Sequence, residues 1–176
     1  MRHLCAAFFC LALSAGGAMA INERILDPAK LFQIICLETG PKFESGMKYA
    51  ASISKKKIVK GSGATYAIGD LVVSVYPIDT TLGPGLTCGI SRENPPGFAA
   101  GILIDAMDRV QTTWPSARKI AGGQDDWAHV FVTSKMIDNA IFCLIAILKS
   151  NDRDIAWFAV ISAAAEANDP KCERLK

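Results

Sequence analysis

Histidine is almost missing from this chain: His3 and His129 are the only two in 176 residues. Only His129 lies beyond the leader-like first twenty residues, which excludes metal sites built on two or more histidines and any His–His acid/base pair. No two cysteines stand at C-x-x-C spacing, so a thioredoxin-like or zinc-ribbon site is excluded too. Neither sign of charge is in excess, with 19 Lys and Arg against 17 Asp and Glu. Phosphate neutralisation therefore has no basis, and nucleic acid is not expected as a partner. Aromatic residues make up only 8% of the chain, yet hydrophobic ones reach 51% and charged ones only 20%. That balance excludes disorder and collagen-like or low-complexity polymers, and a packed core is expected.

Long apolar runs are also lacking. The longest leader-like stretch, Leu4 to Ala15, is too short to span a bilayer as a helix, which needs about 20 residues. Preceded by Arg2 and followed by Ala18-Met19-Ala20, it reads as a signal peptide cleaved before Ile21. The expected mature chain, 21–176, carries 18 basic against 17 acidic side chains. At about 100 to 200 residues per domain it is a single domain, with no transmembrane segment after cleavage and a periplasmic or secreted location.

Four cysteines remain in that chain: Cys36, Cys88, Cys143 and Cys172. An even number in an exported protein reads as two disulfides, for which three connectivities are open. The favoured pairing is Cys36 with Cys88 and Cys143 with Cys172. The first would tie an N-terminal helix to a strand, and the second would staple the C-terminal tail to the core.

Asp27-Pro28 has the form of an N-cap followed by proline at the first helical position, and Gly40-Pro41 that of a stop. Leu31, Phe32, Ile35 and Cys36 form one apolar stripe between them. A second helix is expected from about Phe43 to Ser54, with Lys55, Lys56 and Lys57 complementing the dipole at its end. Strands follow around Ala64 to Ile68, at Leu71 to Tyr76 and at Leu86 to Ser91, with turn chemistry from Asp79 to Gly85. After Asn94-Pro95-Pro96-Gly97 the stripe Ala99, Ile102, Leu103, Ala106 and Val110 predicts a helix to Thr113, ended by Trp114-Pro115. Beyond a polar loop at 116–126, three runs form an antiparallel meander: Trp127 to Thr133, Ala140 to Leu148 and Ile155 to Ile161. The last two are apolar on both faces and should be central and doubly covered. The alanines 163 to 167 favour helix and compete with the third run. The expected fold is α+β, an antiparallel sheet of about five strands packed with two N-terminal helices and one central helix, without internal repeat.

Residue clusters that could carry chemistry are few. His129 shares a strand face with Phe131 and Thr133, and Asp125 and Asp126 lie just upstream, so an Asp-His device with a serine would make a small hydrolase. No G-x-S-x-G accompanies it, and a half-buried strand histidine explains it better. Ser-x-x-Lys occurs at Ser45, Ser52 and Ser54, but K-T-G is missing and the S-D-N order is not met. Glycine clusters at Gly61-Ser62-Gly63 and Gly83-Pro84-Gly85 lack a following Gly-Lys-Ser/Thr and read as turns. Lys55 to Lys57 with Lys60 reads as a solvated face, and Asp152-Arg153-Asp154 lacks the rest of a calcium loop. No metal and no cofactor is expected. The makings of a binding loop, flexible glycines beside polar groups and a large aromatic, stand together at Gly122, Gly123, Gln124, Asp126 and Trp127.

Leu31 to Gly40 (LFQIICLETG) and Leu86 to Ser91 (LTCGIS) resemble segments of small exported proteins of alphaproteobacteria in which a helix cysteine and a strand cysteine recur. The resemblance implies a periplasmic setting and the Cys36–Cys88 pairing. It carries no activity and no functional residue. The leading expectation is a non-catalytic domain binding a protein or a cell-envelope component. The alternatives are a hydrolase built on His129, and a subunit whose exposed apolar face makes it a homo-oligomer.

Overall fold

The computed structural model describes residues 27–60, 63–93, 100–121, 128–149, 155–165 and 172. The chain opens as the sequence predicts. Asp27 caps helix α1 (Pro28–Phe32), its Oδ1 accepting from the Ala29 amide at 2.9 Å and the Lys30 amide at 3.2 Å. The predicted stripe is buried. After Phe32, however, the backbone widens into a π-helical turn, Gln33–Leu37, which carries Cys36.

Helix α2 (Glu44–Ile53) packs across that turn. A Cβ at Gly46 would overlap the Ile35 carbonyl, so the two backbones meet where only glycine lets them. The helix ends at Ile53, and the lysines do not form its last turn. Ser54 is extended, its Oγ donating to the Ala67 carbonyl at 2.8 Å. The chain thereby turns into strand β1 (Lys56–Lys60).

Among the described residues the sheet has eight strands rather than about five: β1, β2 (Gly63–Ile68), β3 (Leu71–Thr80), β4 (Gly83–Glu93), β5 (Arg118–Ala121), β6 (Ala128–Ile137), β7 (Ala140–Lys149) and β8 (Ile155–Ala165). All neighbours are antiparallel, in the order β1-β2-β3-β4-β8-β7-β6-β5. The strands with no counterpart among the segments expected from sequence are the edges, β1 and β5, whose residues Lys56, Lys57, Arg118 and Lys119 make no apolar alternation to read. Charge at an edge discourages another chain from adding to it.

Several strands also outrun their expected ends. Pro77 stays in β3 because β2 pairs only as far as Val75, so at Pro77 the strand has one neighbour and the missing N–H is tolerated. The turn expected over Asp79 to Gly85 shrinks to Thr81 and Leu82, where the Thr80 hydroxyl donates to the Gly83 carbonyl at 2.7 Å and accepts from the Leu82 amide at 3.2 Å. Asp138 and Asn139, with φ of 52° and 63°, close a two-residue hairpin of the I′ kind. The run through Ala163 to Ala165 is strand rather than helix, because Ala163 pairs with Gly85 on one side and Cys143 on the other.

The topology repeats although the residues do not. A helix followed by a four-strand meander occurs twice, α2 with β1 to β4 and α3 (Ala100–Thr113) with β5 to β8. The last strands of the two meanders pair at the centre of the sheet, with Gly89 opposite Ala159.

Helices α1, α2 and α3 cover one face. There Phe32 and Phe158 meet with ring centroids 5.5 Å apart and planes tilted by 54°. The Trp114 indole donates to the Leu37 carbonyl at 3.1 Å. Arg109 on α3 joins the layer together, donating to Asp105 at 3.0 Å, Gln33 at 2.6 Å and Asp27 at 3.2 Å. Its side chain is 25% exposed, so solvent screens part of the gain. Arg109→Leu is expected to destabilise by about 1–2 kcal/mol and to lower the melting temperature by a few degrees, read by calorimetry. An unchanged melt would show that the clamp is ornamental.

Both disulfides form: Cys36–Cys88 with Cα atoms 5.6 Å apart, and Cys143–Cys172 with Cα atoms 5.1 Å apart. Cys143 lies on the opposite sheet face. Its bond holds Cys172 in a second apolar cluster with Val132, Ile145 and Ala163. Around Cys143, Ile145 and Ala163 the central strands are therefore buried on both faces, whereas Trp157 and Ile161 on β8 stay partly exposed, so the double cover that their composition predicts is met only in part.

Candidate functional site

Gly122, Gly123, Gln124, Asp125, Asp126 and Trp127 lie outside the described residues, as do residues 1–26, which include the segment expected to be a signal peptide. His129 is half-buried on β6, opposite Leu148, on the helix-covered face with Phe131 and Thr133. Ser74, Ser91, Ser116 and Ser162 stand elsewhere. Ser116 pairs with the Thr133 hydroxyl at 3.0 Å, four residues along β6 and about 13 Å away by strand rise. The Ser162 hydroxyl donates to the Pro41 carbonyl at 2.8 Å. Ser74 and Ser91 occupy the other sheet face. Among the described residues no group of three or more His, Cys, Asp or Glu side chains is placed to hold a metal ion.

Two cavities are lined by described residues. One, of about 380 Å³, lies between the π-turn, the end of α3 and β6, lined by Glu38, Trp114, Ser116, Thr133 and Lys135 among others. Most of its polar groups are already engaged in holding the framework. Lys135 donates to the Gly40 carbonyl at 3.1 Å, Trp114 to Leu37, and Ser116 and Thr133 bond each other. Thr113 Oγ1 at its wall makes no hydrogen bond among the described residues.

The other cavity is a groove of about 300 Å³ on the sheet face away from the helices. Strand alternation and register build it. Ser74, Gly89 and Ala159 lie side by side on β3, β4 and β8 and form its floor. The next row is Tyr76, Thr87 and Ile161; the row on the other side ends in Ser91 and Trp157. Tyr76 is 48% exposed. From strand spacing and rise, the two aromatics stand at diagonal corners with Cα atoms about 16 Å apart. On the far half of the sheet the row continues into Ile147, opposite Ala159, whose larger side chain occupies the place that Ser74 leaves open on the near half. Unlike the first cavity, this one presents Ser74, Tyr76, Ser91 and Trp157 with no side-chain hydrogen bond among the described residues.

Sequence reasoning missed this groove. The alternation Ser74, Tyr76, Ile78 and Trp157, Ala159, Ile161 was there to be read strand by strand. That β3, β4 and β8 are neighbours was not, because β4 and β8 partners such as Gly89 and Ala159 lie about 70 residues apart in the chain.

Fold and site together define a disulfide-stapled α+β fold of two helix-plus-meander halves, with a groove on the sheet face away from the helices. No family model matches the chain, and no curated protein or solved structure matches it.

Proposed function

We propose that the chain is a non-catalytic periplasmic or secreted domain that binds a protein or cell-envelope component through the groove between Tyr76 and Trp157. The observation that carries this reading is the groove itself: aromatic and hydroxyl groups that make no side-chain hydrogen bond among the described residues, which is how a binding patch differs from a packed face. The two disulfides fit an oxidising compartment. No helix among the described residues is long and apolar enough to cross a membrane.

The test is sedimentation of the purified, exported chain with washed bacterial envelopes, alongside the double variant Tyr76→Ala/Trp157→Ala. Loss of both aromatic anchors is expected to weaken binding by about tenfold or more. Equal sedimentation of the variant, or four free thiols in the exported chain by intact mass, would overturn the reading.

A further inference from the structure

We infer that the groove takes an uncharged glycan segment, its pyranose rings lying over the small-residue floor between Trp157 and Tyr76. This inference rests on the binding role proposed for the same groove and names its ligand class.

Gly89 points to the space being kept for a ligand. Its φ is not positive, so its backbone conformation does not call for glycine. A Cβ there would find its nearest neighbours at 3.6 Å and 3.9 Å, which is ordinary contact, so packing does not call for it either. What the missing side chain leaves is room above the centre of the sheet, with Ser74 and Ala159 on either side.

The groove's chemistry selects among ligands. None of the described residues lining it is charged, so an anionic or cationic ligand would lose hydration with nothing in return. Lys149 stands opposite Trp157 in the register but outside the lining. An extended peptide fits poorly, since the floor is a sheet face whose backbone groups are paired in the ladder, and a peptide laid there would bury its own N–H and C=O groups without partners. A pyranose ring has the reverse layout. Its C–H faces are apolar and can lie on Trp157 and Tyr76, while its edge hydroxyls reach the Ser74 hydroxyl in the floor and the Ser91 hydroxyl in the row beside Trp157. The volume, about 300 Å³, is at the lower end for small-ligand sites and matches a short oligosaccharide segment.

The experiment is isothermal titration of the full exported chain with cellotriose, maltotriose and tri-N-acetylchitotriose, each to millimolar concentration. Saturable binding of at least one is expected, changing less than about twofold between low and high salt because no charge pair is made. Gly89→Val, which fills the floor, and Trp157→Ala are each expected to weaken it tenfold or more with the wild-type melt retained. Trp157→Phe keeps a stacking face and should recover most of the affinity. It also serves as the informative variant if Gly89→Val does not fold. Binding that survives Trp157→Ala, or that weakens steeply with salt, would overturn the glycan assignment. If no trisaccharide binds while envelopes still sediment the chain in a Trp157-dependent way, the ligand class is wrong and the binding role stands. If envelope binding is lost as well, both fall.

Discussion

Replacing Cys36 and Cys88 together by alanine is expected to lower the unfolding free energy by about 4 kcal/mol, from the chain entropy that a cross-link of this span removes from the unfolded state. The two residues are 52 apart in sequence, and both are fully buried. Their bond pins the π-turn, on which α2 rests through Gly46, to the central strand β4. Urea denaturation followed by far-UV circular dichroism reads the loss directly. Cys143 and Cys172, only 29 apart, close a smaller loop, and alanine at both should cost somewhat less, about 3.5 kcal/mol on the same basis. Equal stability of wild type and the Cys36/Cys88 variant would mean that helix packing alone seats the π-turn.

Phe158→Ala is expected to cost about 3–5 kcal/mol, as large aromatic deletions in well-packed cores do. Phe158 has no exposed surface, meets the Phe32 ring, and lies between Ile90 and Leu148 in its row across the sheet. The Trp114 to Leu37 hydrogen bond and the Arg109 clamp tie α1, the π-turn and α3 to one another, so no one of them can move into the void alone without breaking a bond. Equilibrium urea unfolding tests this, and a loss below about 1.5 kcal/mol would show that the layer can repack. The same variant bears on function in a second way. Phe158 points to the helices, but its strand neighbours Trp157 and Ala159 face the groove. The proposed glycan binding is therefore expected to weaken only mildly beside a large loss of stability, the opposite of the ratio for Trp157→Ala.

The elements with strong local signals were legible from residues alone. Asp27-Pro28 announced the start of α1, and the 3.6-residue stripe through Leu103, Ala106 and Val110 announced α3, whose buried positions are the expected ones. The apolar runs of β7 and β8 announced central strands, and the favoured cysteine pairs are the ones formed. Illegible were the elements whose cause is not local. Edge strands β1 and β5 are lysine- and arginine-bearing segments that become strands only because β2 and β6 offer unpaired ladders. Pro77 reads as a strand end until one sees that β2 has already left its side.

Local chemistry therefore determined which segments could be helix or strand, which faces would be buried, and that the chain would be cross-linked, since propensity, periodicity and cysteine number act over a few residues or by count. Tertiary structure alone decided that the two meanders meet at Gly89 and Ala159, and hence that Ser74, Tyr76 and Trp157 border one groove. That outcome depends on pairing between strands far apart in the chain, a contact whose free energy is spread over the whole sheet and is written in no single segment.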